Sequence, residues 1–208
     1  MGNRAIITTK ENFENDGIGV YLHWNGGRDS VEGFLKYCEL RGFRSPDDDS
    51  YGWARFVQVV ANFFGMDGLS IGIDKISNLP KGDFCDNGVY IIKGWEIVDR
   101  KFYDIEEQHE YPLNDMLHAI DERQPEPLGK YLDAKEVPVS DLKVGDTVYI
   151  RHWDNSIKEV TVLDFGDDRT VNGTNIKGMP YANIVGGTLG KDNINNYIRD
   201  KVVRLVAV

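Results

Sequence analysis

The segment Val20-Tyr21-Leu22-His23-Trp24-Asn25-Gly26-Gly27-Arg28-Asp29 concentrates the side chains best suited to chemistry. In a strand, Tyr21 and His23 project from one face while Leu22 and Trp24 project from the other. The glycine pair after Asn25 ends that strand just ahead of a helix. His23, Asn25, Arg28 and Asp29 can therefore converge on a small anionic or polar group, assisted by the amides of the helix start. A histidine beside a carboxylate can act as a general base. In that reading His23 is the base and Arg28 the anion clamp of a small hydrolase or nuclease, with Asp29 beside them. The same residues allow a structural alternative, in which His23 and Asn25 hydrogen-bond the turn and Arg28 pairs with a nearby acid.

Other polar clusters carry less. Glu106, Glu107, His109 and Glu110 match no metal-ligand spacing and read as a solvated approach to a helix. Asp47, Asp48, Asp49, Asp67, Asp74, Asp83 and Asp86 fall in loops, where oxygen ligands can hold Ca²⁺ or Mg²⁺. They form no Asp-x-Asp-x-Asp-Gly ladder, so neither a metal nor a cofactor is expected. The chain has no Gly-x-Ser-x-Gly elbow and no phosphate-binding loop, and position 2 is Gly2 in place of a nucleophile. Catalysis thus remains an alternative to binding, and binding is preferred. The contact residues expected for a binding role are Tyr21, Trp24, Asn25, Asp47, Asp48, Asp49, Asp83, Asp86 and Trp95.

These residues need elements to position them. Arg4–Lys10 and Ile18–Trp24 read as strands separated by the turn signal Asn15-Asp16-Gly17. Asp29, with Glu32 three residues on, predicts a capping box for a helix whose apolar face is Val31, Phe34, Leu35 and Cys38, closed by Gly42. A second helix takes its face from Trp53, Phe56, Val57, Val60, Phe63 and Phe64. Leu69–Ile73 returns as a strand. Gly88–Ile92 and Glu96–Tyr103 form a hairpin around Lys93-Gly94, and Tyr111–Glu122 is a third helix with Pro112 in its first turn. Gln124-Pro125-Glu126-Pro127-Leu128-Gly129 marks a break. Beyond it, short strands at Thr147–Trp153, Glu159–Phe165, Thr170–Ile176 and Val202–Val208 suit a small barrel. The expected fold is α+β: an acidic domain over 1–122, built on a mixed antiparallel sheet with two to three helices, a linker over 123–136, and a small SH3-like β-barrel over 137–208.

Charge separates the two parts. Residues 1–122 hold 12 Lys/Arg against 22 Asp/Glu, and residues 123–208 hold 12 of each. A net −10 on the first part disfavours direct nucleic-acid binding and suits a basic protein surface, because phosphate binding depends on basic groups that are outnumbered here. Cys38 and Cys85 make no disulfide framework. No run approaches the roughly 18 apolar residues of a membrane span, and no secretory signal is visible. A bacterial cytoplasmic protein without membrane contact is expected.

Met1-Gly2-Asn3-Arg4-Ala5-Ile6-Ile7, followed by Gly19-Val20-Tyr21-Leu22-His23-Trp24-Asn25-Gly26, resembles a group of small proteins of Gram-positive bacteria, their phages and conjugative elements. These begin Met-Gly-x-Arg and carry a Tyr-x-His-Trp-Asn/Asp-Gly block. The resemblance covers residues 1–103 and carries over no catalytic residue. It implies a mobile-element accessory role, and among such roles is counter-defence. Anti-CRISPR proteins of these elements are often small and acidic, and they block a Cas9 effector or interfere with its guide RNA. The partner implied is a basic surface of a host protein or nucleoprotein, Cas9-like in the sharpest form. A non-catalytic structural or regulatory module of a phage or transposon is the further alternative.

Overall fold

The β-branched run Ala5-Ile6-Ile7-Thr8 forms β1, the middle strand of a five-stranded sheet. The structure, a computed structural model, describes residues 2–10, 17–47, 50–65, 70–78, 86–102, 106–138, 141–151, 157–166, 169–171, 174–176, 181–185 and 202–205. Two units result, Met1–Pro127 and Leu128–Val208.

In the first unit, β1 pairs antiparallel with β2 (Ile18–Leu22) and parallel with β4 (Val89–Lys93). A parallel pair requires a long crossover, and here the intervening chain supplies β2, α1 (Arg28–Leu40), α2 (Ser50–Phe64) and β3 (Ile71–Lys75). β3 lines the far side of β2, and β5 (Glu96–Lys101) completes a hairpin with β4, giving the order β3-β2-β1-β4-β5. The sheet is thus mixed. Every residue of β1, and Val89 to Ile92 of β4, is buried, so both faces of the sheet centre are covered. Ile6, Val89 and Ile91 share one face with Ile76 of a short 3₁₀ turn, Ile76–Asn78.

The helices pack mainly on one another. A Cβ on Gly33 of α1 would meet the Met116 side chain of α3 (Leu113–Asp121) at 2.6 Å, so α1 and α3 approach closely there. The buried Tyr37 hydroxyl donates to Asp121 Oδ1 at 2.6 Å across the same contact. Burial and that bond together push the Tyr37 pKa well above the usual tyrosine range. Phe34 meets Phe63 edge-on at 5.2 Å, joining α1 to the end of α2. Cys38 is fully buried, and burial raises its thiol pKa far above the ordinary value. Cys85 lies outside the described residues.

Several boundaries differ from expectation. The capping box does not form: α1 begins at Arg28 with Gly27 as its cap residue and no side-chain cap, and Glu32 turns to Arg28. β2 ends at Leu22, which leaves His23 and Trp24 in the following bend. Pro112 precedes α3, which is two residues shorter at its start than expected.

The second unit begins at Leu128, inside the expected linker over 123–136, where α4 (Lys130–Asp133) and β6 (Lys135–Pro138) form. Its main sheet joins β7 (Thr147–Arg151), β8 (Ile157–Gly166), β11 (Tyr181–Val185), β12 (Val202–Leu205) and β6 in the order β11-β8-β7-β12-β6. A separate hairpin pairs β9 (Arg169–Val171) with β10 (Thr174–Ile176), splitting the single strand expected there. Among the described residues the strands do not close into a barrel. Arg204 of β12 donates to the carbonyls of Tyr131, Leu132 and Ala134 and pairs with Glu136, and its guanidinium lies 4.8 Å from the centre of the Tyr131 ring. That set ties the last described strand to α4 and β6.

Candidate functional site

The chain bends between β2 and α1, and the bend depends on three residues. Asn25 takes φ +54°, a left-handed conformation that asparagine tolerates better than most residues. Gly26 donates its N–H to Asn3 O, and a Cβ there would sit 2.6 Å from the backbone of Arg4 and Ala5. A Cβ on Gly27 would sit 2.6 Å from Gln108 O. The pair is glycine because neighbouring backbone occupies the side-chain space.

The turn does not assemble a catalytic triad. His23 Nδ1 shares a hydrogen bond with the Tyr21 hydroxyl at 2.9 Å and bonds neither Arg28 nor Asp29. Arg28 donates to Glu32 Oε1 at 2.8 Å and to Glu107 Oε1 at 2.9 Å. Burial works against the Arg28 charge, but these two carboxylates outweigh it and its pKa is raised. Asp29 is 3% exposed. Its Oδ1 accepts the Ser30 N–H at 2.7 Å, and its Oδ2 accepts the N–H groups of Glu110 and Tyr111, each at 2.6 Å. Asn25 donates to the Ser30 hydroxyl at 3.3 Å. Arg28 and Asp29 thereby fasten the start of α1 to residues 107–111.

The expected acidic contact residues are also bonded internally where they are described. Asp47 Oδ2 accepts the Ser45 hydroxyl at 3.0 Å and the Gly94 N–H at 2.7 Å, holding the β4–β5 turn. Asp86 pairs with the Arg4 side chain at 3.2 Å and accepts its backbone N–H at 3.0 Å. The Arg4 bond holds the Asp86 pKa below the usual carboxylate range, against the opposing effect of burial. Asp48, Asp49 and Asp83 lie outside the described residues. Trp95 is not the exposed contact it was expected to be. Its indole donates to Phe43 O at 3.0 Å, and its ring stacks near Phe56 with centroids 6.5 Å apart.

Two other surfaces come forward. The first is a strip over residues 106–115. Glu106, His109, Glu110, Tyr111, Leu113 and Asp115 are all exposed, with Tyr111 and Leu113 among the large apolar side chains left in solvent. Glu106, Glu110 and Asp115 have no ion-pair partner among the described residues, whereas Glu107 faces inward to Arg28 and Arg100. Glu106, His109 and Glu110 fall in the segment expected as a solvated approach to a helix, whereas Tyr111, Leu113 and Asp115 fall in the helix expected over Tyr111–Glu122. The second is an open cleft of about 720 Å³ lined by His23, Trp24, Asn25, Phe63, Phe64, Ser70 and Arg123. Phe63 and Phe64 read only as part of an apolar helix face, and Ser70 and Arg123 carry no motif, because three separate chain segments bring these residues to the bend at 23–25.

Among the described residues no group of histidine, cysteine and carboxylate side chains is placed to hold a metal ion, and no helix is long and apolar enough to cross a membrane. No protein-family model matches the chain, and no curated protein or solved structure matches it either.

Proposed function

We propose that the chain is a non-catalytic binding protein that engages a basic surface on a partner, and that the strip over residues 106–115 makes the contact. The observation that carries this reading is the composition of that strip. Three carboxylates without described ion-pair partners flank two exposed apolar side chains, Tyr111 and Leu113, on a backbone that Asp29 anchors. Anchored backbone lowers the ordering cost of binding. Tyrosine and leucine supply contact area, and acids around them select a positive partner and speed encounter. Among the other described acids, Asp74 lies on edge strand β3, and Glu96 and Asp99 lie on the opposite edge strand β5. They add to the general field without forming one patch.

The partner class follows from the resemblance to mobile-element proteins: a host defence nucleoprotein of the bacterial cytoplasm, a Cas9-like effector in the sharpest form, with the acidic unit covering its nucleic-acid groove. The pairing of β6, the first strand of the second unit, with β12, its last described strand, supports reading that unit as an SH3-like β module. The test is binding to, and inhibition of, a guide-loaded Cas9 by the full chain and by a Glu106→Lys/Glu110→Lys/Asp115→Lys variant.

A further inference from the structure

We propose that the cleft beside Trp24 is a binding site for a free mononucleotide, with the base against the aromatic lining and the phosphate on Arg123. The cleft is independent of the strip over 106–115. It draws on four segments: the bend after β2, the end of α2, the residue before β3 and the residues after α3. Its volume of about 720 Å³ falls within the range of small-molecule sites, roughly 300–1,000 Å³.

The lining chooses the ligand. Among the seven described lining residues none is a carboxylate, in a chain with 34 Asp/Glu against 24 Lys/Arg. Arg123 is the arginine among the described lining residues. It is exposed, and its guanidinium has no hydrogen bond or ion pair among the described residues. A guanidinium offers a planar fork that matches phosphate oxygens two at a time.

α3 ends beside Arg123, and a helix C-terminus carries partial negative charge that would oppose an anion. Here three of the last four carbonyls accept hydrogen bonds. Ile120 O accepts from the Arg123 N–H and the Gln124 side chain, His118 O from the Glu122 N–H, and Asp121 O from the Gln124 N–H. The full charge of Arg123 therefore dominates.

The flat body of the ligand follows from the rings. Trp24 is 45% exposed, and His23 stands edge-on to it at 5.0 Å, which fixes its neighbour and leaves indole surface open. Phe63 and Phe64 are half-buried and braced edge-on against each other at 5.4 Å. Stacking on such rings is tolerant of base identity. The Asn25 side chain, held by Ser30, adds a polar group at the rim. A longer strand gains nothing, because the net −10 of the chain repels the additional phosphates.

Calorimetric titration of the full chain with adenosine monophosphate, adenosine, inorganic phosphate and a short single-stranded oligonucleotide tests this. Adenosine monophosphate should saturate one site, adenosine should bind about ten-fold more weakly, and the oligonucleotide should bind no more tightly than the monophosphate. Arg123→Gln should bring the monophosphate down to the affinity of adenosine, and Trp24→Ala should weaken both; each side chain is exposed enough to be replaced without loss of fold. Absence of saturable monophosphate binding overturns the proposal, as does an Arg123→Gln variant with unchanged affinity. Tighter binding of the oligonucleotide overturns it too, by giving the cleft to nucleic acid. Cas9 inhibition that survives Arg123→Gln leaves the contact strip standing whatever the cleft does.

Discussion

Asp29 Oδ2 lies 2.6 Å from the backbone nitrogen of Tyr111, across 82 positions of sequence. The carboxylate that the catalytic alternative would set beside a histidine base holds the backbone of the exposed strip.

Asp29→Ala should therefore act on stability. It leaves the N–H groups of Ser30, Glu110 and Tyr111 without their acceptor in a site that is 3% exposed. Stranded buried donors cost about 1–3 kcal/mol each and are not additive, so a loss of about 3 kcal/mol is expected in urea unfolding. Asp29→Asn, which keeps one acceptor oxygen, should lose less. An Asp29→Ala protein with an unchanged unfolding midpoint would contradict the anchoring role.

Gly26→Ala and Gly72→Ala should separate sharply. The first places a methyl 2.6 Å from backbone atoms of Arg4 and Ala5, which side-chain movement cannot relieve. The second meets the Tyr21 side chain at an ordinary 3.7 Å. Thermal melts should show Gly26→Ala destabilised by about 2 kcal/mol or more, and Gly72→Ala within about 0.5 kcal/mol of the parent. Equal effects at the two positions would refute the close packing of the turn on β1.

Acid should weaken the Arg4–Asp86 clasp. Because Arg4 lowers the folded pKa of Asp86, the stabilisation is complete above the ordinary carboxylate range and disappears as pH falls through the lowered value. Asp86→Asn should cost about 1–2 kcal/mol near neutrality and much less in strong acid. Urea midpoints of parent and variant at the two conditions check this, and a gap that stays constant would exclude the linkage.

Local pattern made much of this fold legible. The apolar spacing of Val31, Phe34, Leu35 and Cys38 marks α1, and Gly42, at φ +69°, closes it. Trp53, Phe56 and Val60 likewise mark the buried side of α2. What escaped was set by distant partners. The parallel pairing of Ile6 with Val89 has no local signature. Nor do β6, a four-residue strand ending in Pro138, and β11, which emerges from a Gly- and Asn-rich stretch. Asp29 follows the capping-box spacing with Glu32, but acceptor-hungry amides 81 and 82 positions away claim its oxygens. Trp95 looked like an exposed turn aromatic until the Phe43 carbonyl came within 3.0 Å of its indole. In the candidate site, Tyr21, His23, Trp24 and Asn25 were readable as unusual, but their partners were not, because Phe63, Ser70 and Arg123 join them only through the packing of α2, β3 and α3.

The salt dependence of binding to guide-loaded Cas9 tests the central claim most directly. The parent should bind and inhibit, with affinity falling steeply as salt rises, since the contact joins opposite charges in water. The Glu106→Lys/Glu110→Lys/Asp115→Lys variant, whose replaced side chains are exposed, should keep the parent's melting temperature within a few degrees and lose binding by about 100-fold or more. A triple variant that binds as well as the parent, or a complex indifferent to salt, would contradict the account.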